Sequence, residues 1–438
     1  MSVSVSAEFP FSRDELWAWY TTPGSAARLM PHSLPITSVH ADGNVATGSN
    51  IYSFPAGLKW VTRYELSEYQ RGRSFTEVCV RAPFRRLTDW RHEHYFADAP
   101  NGGTLMRNNF IANFPDKNVR AFFGYQHHQV LNDLSFAASV GLRPQRNEQT
   151  SDTPPVIAVT GANSVIGQPL VAQLRSLGFV VRELRRNKQW NPKNPSPSML
   201  QGCDLLIHLA GESIQGRAND GHYQSIASSR MEPTVALARL VAQSPTCRGM
   251  IIDSVDCGDE RLNSIFREVE DAARAACPQT LAIRRSAIFS ARAGLLPLLR
   301  AVHKTGLGGK LAALESHFQW ISIDDLTDIY IRAALEFLAT ENQDPDTSTP
   351  LYYSAFAPEQ ITTAQLMDTL ARRFNSRTII PIPDFSPKLL LGEPGARLLI
   401  AQEHQTEAHI PAEHSFRYPT VDSCFAHELM GEKPFSTD

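Results

Sequence analysis

Features that the sequence lacks exclude several classes of protein. No apolar run approaches the roughly 18 residues of a membrane-spanning helix, so we predict no membrane insertion. The 42 basic and 45 acidic residues leave a formal charge of −3. That balance provides neither the basic surface of a nucleic-acid-binding protein nor a polybasic membrane anchor. We therefore expect small molecules, and no nucleic acid, as partners.

The cysteines and the N-terminus also lack the patterns of an exported protein. Six cysteines are scattered along the chain without a Cys-x-x-Cys pair, which argues against a disulfide framework and a zinc site. The N-terminal sequence MSVSVSAEFPFSRDE has neither the basic nor the apolar region of a secretory signal. We predict a cytoplasmic protein with reduced thiols and no metal site.

The chain is long enough for two or three domains of about 150 residues each. The clearest candidate for a boundary between domains, called the seam below, is the polar, proline-bearing segment GLRPQRNEQTSDTPP. We predict a first domain over residues 1–140, a linker over 141–155 and a second domain over 156–438. A smaller lobe of mixed structure should begin at about residue 350.

The two predicted domains differ in the spacing of their apolar residues. Before the seam, runs such as SVSVSAEF and WRHEHYF alternate at period two, and helical patterns follow Ser12 and cover about Val119 to Val140. This pattern predicts an α+β domain, an antiparallel sheet packed on a closing helix. After the seam, short apolar strands alternate with amphipathic helices, which predicts a doubly wound parallel sheet of the α/β class, the Rossmann architecture.

A glycine-bearing turn joins the first strand and helix of the second domain. Its sequence is TGANSVIG, residues 160–167, and a helix N-terminus at this place offers N–H groups to a pyrophosphate. Gly161 would allow the tight turn and Gly167 the close helix packing, with Ser164 in place of a middle glycine. We predict dinucleotide binding, the alternative being a βα turn without a ligand.

Two arginines end the second strand of this domain. Arg185 and Arg186 stand where a protein selective for NAD usually carries an acidic residue. A cation there suits a 2′-phosphate, so we predict NADP (or NAD) with NADP preferred. The alternative is a solvated basic strand end. His208, inside an apolar strand, we interpret as a core histidine rather than a catalyst.

Several motifs of the second half carry a family resemblance. They are TGANSVIG, HLAGESI, SSR, RRSAIF, GLGGK and WISIDDL. In this order they resemble the atypical extended short-chain dehydrogenase/reductases known as putative sugar-nucleotide epimerases. The tail from GEPGARLL to FAHEL resembles the C-terminal module of that family. In the first half, APFRRLTDWRHEHYF and FFGYQHHQVLNDL resemble the START-like (SRPBCC, cyclase/dehydrase) proteins, which implies a helix-grip fold.

The resemblance implies a set of cofactor-contacting residues in the turn, at the end of the second strand and after His208. They are Gly161, Asn163, Ser164, Val165, Ile166, Gly167, Arg185, Arg186, Leu209, Ala210, Gly211, Glu212 and Arg230.

The catalytic residues typical of short-chain reductases are incomplete. Ser254 occupies the serine position, but no Tyr-x-x-x-Lys exists anywhere in the chain. The helix RLNSIFREVEDAARAA, which would carry that pair, contains neither tyrosine nor lysine. Asp253, Asp256 and Asp259 are alternative bases, or simply a solvated acidic loop.

Two further clusters allow more than one interpretation. His92, His94, His127 and His128, with Glu93, are chemically suited to a metal, although their spacing matches no standard site. A set of aromatic residues in the first domain either lines an apolar cavity or forms a packed core. This set comprises Trp17, Trp19, Phe54, Trp60, Trp90, Phe110, Phe122 and Phe123.

Two functions follow from this reading. The first is an NAD(P)-dependent epimerase or reductase acting on an unknown substrate, with sugar nucleotides as one candidate class. The second is a catalytically degenerate dinucleotide-binding protein or ligand sensor, whose START-like domain holds an apolar small molecule. The missing Tyr/Lys pair favours the second, and the retained turn with Glu212 and WISIDDL favours the first.

Overall fold

A computed structural model describes residues 2–142, 153–215, 219–304, 317–339, 351–374, 409–411 and 413–435. The chain divides into two compact units. The first comprises Met1–Pro154, Val171–Phe179 and Ala426–Asp438, and the second comprises Pro155–Leu170 and Val180–Phe425. In the described part of the chain, no helix combines the length and the apolar character needed to cross a membrane.

The first unit is built on an antiparallel sheet with the order β1-β7-β6-β5-β4-β3-β2. Its strands are β1 (Ser2–Phe9), β2 (Ser38–Ala41), β3 (Ser49–Ser53), β4 (Lys59–Tyr64), β5 (Ser74–Cys79), β6 (Arg91–Asp98) and β7 (Thr104–Ile111). Its helices are α1 (Arg13–Tyr20), α2 (Ser25–Arg28), α3 (Phe84–Thr88) and α4 (Asp116–Ser139). The alternation seen in the sequence is confirmed: in β1 the side chains of Val3, Val5, Ala7 and Phe9 are buried.

Local signals set the helices of this unit. Ser12 caps α1 and forms a capping box with Glu15, as the sequence pattern predicts. The long helix α4 packs against β1 and buries Phe123 and Val130, so the predicted α+β arrangement of sheet and closing helix is present.

The second unit contains a sheet with the order β16-β12-β11-β10-β8-β9, in which all pairings are parallel. Its strands are β8 (Val156–Thr160), β9 (Val180–Leu184), β10 (Leu205–His208), β11 (Met250–Val255), β12 (Thr280–Arg285) and β16 (Tyr352–Ala355). The helices are α5 (Gly167–Ser176), α6 (Asp220–Gln243), α7 (Glu260–Ala276), α8 (Leu295–Lys304), α9 (Ile323–Ala339), α10 (Thr363–Phe374) and α11 (Val421–Glu428). The predicted parallel α/β sheet is therefore present.

Two predicted strands differ in extent. The run 281–289 divides at Ser286 into β12 and the short strand β13 (Ala287–Phe289), which pairs with β15 (Trp320–Ser322) outside the large sheet. A further small pair joins β14 (His317–Phe318) to β17 (Ile361–Thr362). Strand β9 ends at Leu184, so Arg185 and Arg186 follow the strand and lie outside it.

The strand order places a crevice at the carboxyl ends of β8 and β10. The chain leaves β8, adds β9 on one side, and returns to add β10 on the other side of β8. The register pairs Thr160 with His208, so both strands end at the same level. Such a reversal of strand order is where open α/β sheets bind ligands.

Candidate functional site

The turn after β8 requires glycine at two positions. Gly161 has a φ of +70°, and a Cβ there would lie 2.8 Å from the carbonyl carbon of Leu209 and 2.9 Å from the nitrogen of Ala210. A Cβ at Gly167 would overlap the carbonyl oxygen of Gly161. The turn therefore lies directly against the segment after β10, which brings the two predicted parts of the cofactor site together.

Ser164 organises the N-terminus of α5. Its backbone N–H donates to the carbonyl of Gly161 at 2.8 Å, and its Oγ accepts from the N–H of Gly167 at 2.9 Å. Asn163 is exposed and Val165 half-buried, whereas Ile166 is buried. The Ser164 hydroxyl thus caps the helix. It accepts a hydrogen bond from one of the N–H groups that would otherwise be available to a bound phosphate.

The arginines after β9 are both exposed, but they differ in their neighbours. Arg185 forms an ion pair with Glu183 at 2.9 Å, which offsets part of its charge. Arg186 forms an isolated β-bridge with Trp190 through its backbone, which leaves its side chain exposed. Arg186 is accordingly the better placed of the two to meet an anion.

The strand end at β10 has a buried and an exposed part. His208 is buried, and its Nδ1 and Nε2 atoms lie 2.6 Å and 3.1 Å from the hydroxyls of Thr160 and Thr234. Burial lowers the pKa of His208 to about 3, so the ring is neutral. The interpretation of His208 as a core histidine is confirmed. Leu209 is buried, Ala210 half-buried, and Gly211 and Glu212 are exposed at the crevice.

Arg230, on α6, brings a buried positive charge to this crevice. A Cβ at Gly211 would lie 2.6 Å from its guanidinium carbon, so the two residues are in close contact. With the described residues, the guanidinium makes only long hydrogen bonds, to the carbonyl of Ile226 (3.5 Å) and the hydroxyl of Ser229 (3.4 Å). It lies over the Phe266 ring at 4.7 Å, and burial lowers the Arg230 pKa to about 10. A weakly satisfied buried cation beside an exposed glycine is suited to binding an anionic group.

Ser254 lies in an enclosed position. It is fully buried on β11, and its Oγ donates to the Glu270 carboxylate at 2.5 Å. Arg284 holds the same carboxylate in an ion pair at 2.7 Å. The hydroxyl predicted as a weak catalytic candidate is thus engaged in an internal hydrogen bond.

The three aspartates near Ser254 do not form a solvated acidic loop, and that interpretation is wrong. Asp253 lies on β11 and pairs with Arg285, whose Nε and Nη2 atoms lie 3.0 and 3.1 Å from its two carboxylate oxygens. Asp256 is buried. Asp259 caps α7 and accepts a hydrogen bond from the Tyr223 hydroxyl at 2.6 Å.

Tyr330 is a buried tyrosine near this strand that sequence reasoning passed over. Its hydroxyl donates to Asp253 at 3.2 Å, and its side chain is fully buried on α9. Burial raises the pKa of Tyr330 well above its ordinary value, with the Asp253 charge adding to the effect. The helix after β11, α7, contains neither tyrosine nor lysine. This arrangement provides no exposed phenol for proton transfer at the end of β11.

The first unit encloses a second candidate site, an apolar cavity of about 510 Å³. Of the predicted aromatic set, Phe54, Trp60, Trp90, Phe110 and Phe122 line this cavity. The other three, Trp17, Trp19 and Phe123, belong to packed core clusters. The cavity and core interpretations therefore each hold for part of the set. Leu429 and Met430 complete the wall, although the sequence places them in the C-terminal lobe.

The proposed metal set is split across the first sheet. His92 and His94 are buried with their rings 3.8 Å apart, and His127 is buried on α4. Glu93 instead binds Arg91 and accepts from Tyr95 and Asn109. No cluster of three metal-ligating side chains occurs among the described residues.

Comparison with solved structures gives one likeness that extends over nearly the whole chain. The crystal structure of the nucleoside-diphosphate sugar epimerase from Corynebacterium glutamicum is 31% identical, with a TM-score of 0.75, and the match covers 99% of this chain and 91% of that one. The human epimerase family protein SDR39U1, crystallised with NADPH, is 20% identical with a TM-score of 0.51, over 63% of this chain and 99% of that chain. The second likeness shows a shared fold.

Sequence comparison gives relatives that match a smaller share. The Bacillus subtilis epimerase family protein YfhF is 24% identical over 309 residues, which cover 63% of this chain and 99% of YfhF. The chloroplastic SDR39U1 homolog of Arabidopsis thaliana is 24% identical over 286 residues, covering 56% of this chain and 79% of its own. No family model matches the sequence. The 31% identity over almost the full length is decisive, and the chain belongs to the family of the C. glutamicum nucleoside-diphosphate sugar epimerase.

Proposed function

We propose that the second unit binds a nicotinamide adenine dinucleotide, with NADP preferred, and that the chain is an NAD(P)-dependent epimerase or reductase. The observation that carries this proposal is the contact of the Gly161 turn with the backbone of Leu209 and Ala210 at the reversal of strand order. The presence of NADPH in human SDR39U1, which shares the fold, supports it.

The crevice fits such a cofactor at three places. Gly161 lets the turn lie against the backbone of Leu209 and Ala210, and Gly167 lets α5 begin close to the turn. The N–H groups at the start of α5 would hold the pyrophosphate. Arg186 would meet the 2′-phosphate of NADP, and the buried Arg230 would meet an anionic group beside Gly211. When bound, the nicotinamide ring supplies hydride exchange with a substrate carbon.

One observation favours a second candidate function, a dinucleotide-binding protein without strong catalysis. Hydride exchange at an alcohol carbon needs a group that moves the hydroxyl proton. Ser254 is bound by Glu270, Asp253 is paired with Arg285, and Tyr330 is enclosed on α9. The residues that could have replaced the missing Tyr/Lys pair are therefore committed to internal contacts.

A calorimetric titration of the full chain with NADP, NADPH, NAD and NADH tests the cofactor proposal. We expect tighter binding of the phosphorylated pair, because an arginine–phosphate contact is charge-assisted. Equal affinity for both pairs would refute the NADP preference, and the absence of all binding would refute the proposed site itself.

For the first unit we propose a START-like domain that holds an apolar small molecule. Its support is the antiparallel sheet closed by α4 and a cavity of about 510 Å³, within the range of ordinary ligand pockets. YfhF is matched over 99% of its length by only 63% of this chain, so a substantial part of the chain has no counterpart there. Residues 1–140 would supply the sheet and α4, with 141–155 as the linker.

A further inference from the structure

A small polar chamber adjoins the apolar cavity of the first unit. The chamber has a volume of about 30 Å³ and shares Met30, Tyr52, Trp90 and Phe122 with the cavity wall. That volume admits one small group, since a cavity needs roughly 10–15 Å³ of such space to hold a water molecule. An apolar ligand alone would leave this polar end without a partner.

Glu77 is the acidic group of the chamber. The register places it opposite Tyr64 on β4 and opposite His92 on β6, so it faces the interior from the centre of the sheet. It is 7% exposed and accepts hydrogen bonds from the Asn50 amide, at 2.8 Å, and from the Thr62 hydroxyl. Burial raises the pKa of Glu77, and these hydrogen bonds partly oppose that effect.

Among the described residues, no cation is paired with Glu77. Neither lysine nor arginine occurs among the described residues that line the cavity or the chamber. The hydrogen bonds from Asn50 and Thr62 come from neutral groups. A buried carboxylate is usually paired with a cation or bound to a metal, because leaving its charge in an apolar environment is costly. Its partner is therefore to be sought in the ligand.

His94 adds a second acceptor to the same chamber. Its ring is 4% exposed and stacks on Phe75, with ring centroids 4.3 Å apart. Burial and the neighbouring His92 hold the pKa of His94 well below its ordinary value, so the ring is neutral and carries one acceptor nitrogen. Within the described part of the chain its Nδ1 atom has no hydrogen-bond partner.

We infer that the chamber binds the protonated amine of a ligand whose apolar body fills the adjoining cavity. This inference rests on the proposed ligand-holding function of the first unit. An ammonium group has three N–H donors and no acceptor, which matches a site that presents a neutral histidine and a carboxylate whose existing hydrogen bonds come from neutral groups. The rings of Tyr52 and Trp90 at the entrance add surfaces that attract a cation.

The same chemistry excludes other head groups. A carboxylate or phosphate would meet the Glu77 charge with no cation to offset it, and would be repelled. An alcohol can donate only one hydrogen bond and carries no charge, so it should bind more weakly than an amine with the same body.

Three ligands with one body and different heads test this inference on the full-length protein: decylamine, decanol and decanoate. Titration calorimetry at pH 7 should show decylamine binding at least about tenfold more tightly than decanol, as expected for a charge-assisted hydrogen bond. Decanoate should bind more weakly than both. This ranking needs no variant, so a failure of Glu77→Gln to fold would not affect it.

Two matched variants test whether Glu77 causes the preference for decylamine over decanol. Glu77→Gln should remove most of the preference for decylamine over decanol while leaving decanol affinity nearly unchanged. Glu93→Gln alters an acid of the neighbouring strand that is engaged by Arg91, and should leave the preference as it is in the parent. Absence of both decylamine and decanol binding to the parent would overturn the proposed cavity function. Binding of decanol with no gain for decylamine, or tighter binding of decanoate, would overturn the amine inference alone.

Discussion

Arg230 and Gly211 are packed so closely that a single added carbon at position 211 would lie 2.6 Å from the guanidinium carbon. The glycine thus leaves the space in which the buried cation reaches the crevice surface. Gly211 is exposed and Arg230 is buried, so the cation lies beside an exposed backbone position.

Gly211→Ala should weaken binding of NADPH by about tenfold, since the methyl group displaces the guanidinium from its position and costs one charge-assisted contact. Titration calorimetry measures the change. Gly221→Ala is the matched control, because a Cβ there meets only the side chain of Asn219 at 3.5 Å. Unchanged NADPH affinity in Gly211→Ala would show that Arg230 does not contact the cofactor.

Gly161→Ala should abolish NADPH binding and destabilise the second unit. The left-handed φ of +70° costs an alanine about 1–2 kcal/mol, and overlap with the backbone at Leu209 and Ala210 adds to it. Gly178→Ala isolates the first effect, because Gly178 has a φ of +92° and nothing within 4 Å of its added Cβ. Urea unfolding should therefore show a larger loss for position 161 than for position 178, and equal losses would contradict the close contact.

Arg186→Asp should reverse the cofactor preference toward NADH. Arg186 is exposed, whereas the charge of Arg185 is partly offset by Glu183, so Arg185→Asp should have the smaller effect. The ratio of NADPH to NADH affinity should fall at least about tenfold in Arg186→Asp. An unchanged ratio would show that both arginines are simply solvated.

The sequence predicted what depends on short-range pattern. Alternation at period two identified β1, the motif after Ser12 identified α1, and the spacing of Gly161 and Gly167 identified the turn. The signal for each of these features lies within a segment of about ten residues. The division of 281–289 at Ser286 depends on which strand each half pairs with, and the sequence LAIRRSAIF contains no glycine or proline that would mark the division.

The missed features depend on contacts between distant residues. Asp253 accepts a hydrogen bond from Tyr330, 77 positions away. The partner of that carboxylate therefore cannot be predicted from the acidic residues next to it in the sequence. Leu429 and Met430 line the cavity of the first unit, yet they stand at the far end of the chain. The single signal for His92 and His94 was their shared strand face, which indicated a cluster without indicating what the cluster binds.

The buried neutral His208 should make the second unit sensitive to acid. The pKa of His208 is about 3 in the folded state and about 6.5 in the unfolded chain. Between these two pH values the unfolded chain binds a proton that the folded chain does not. Stability should therefore fall as the pH decreases from 6.5, by up to about 1.4 kcal/mol per pH unit from this residue. Urea unfolding of His208→Gln between pH 6.5 and 4.5 should show a shallower slope than the parent. His40→Gln, at an exposed position, should keep the parental slope.

The purified protein should show negligible sugar-nucleotide epimerase activity. Epimerisation requires a base to accept the hydroxyl proton as hydride leaves the substrate, and a positioned base contributes roughly 10²–10⁴-fold to the rate. Here α7 has no tyrosine or lysine, Ser254 donates to Glu270, and Tyr330 is enclosed with a raised pKa. The measurement is turnover of a panel of nucleotide sugars with added NAD or NADP. Turnover near the enzyme median of about 10 per second would contradict the prediction. Asp253→Asn and Tyr330→Phe would then show whether that pair opens to serve as the base.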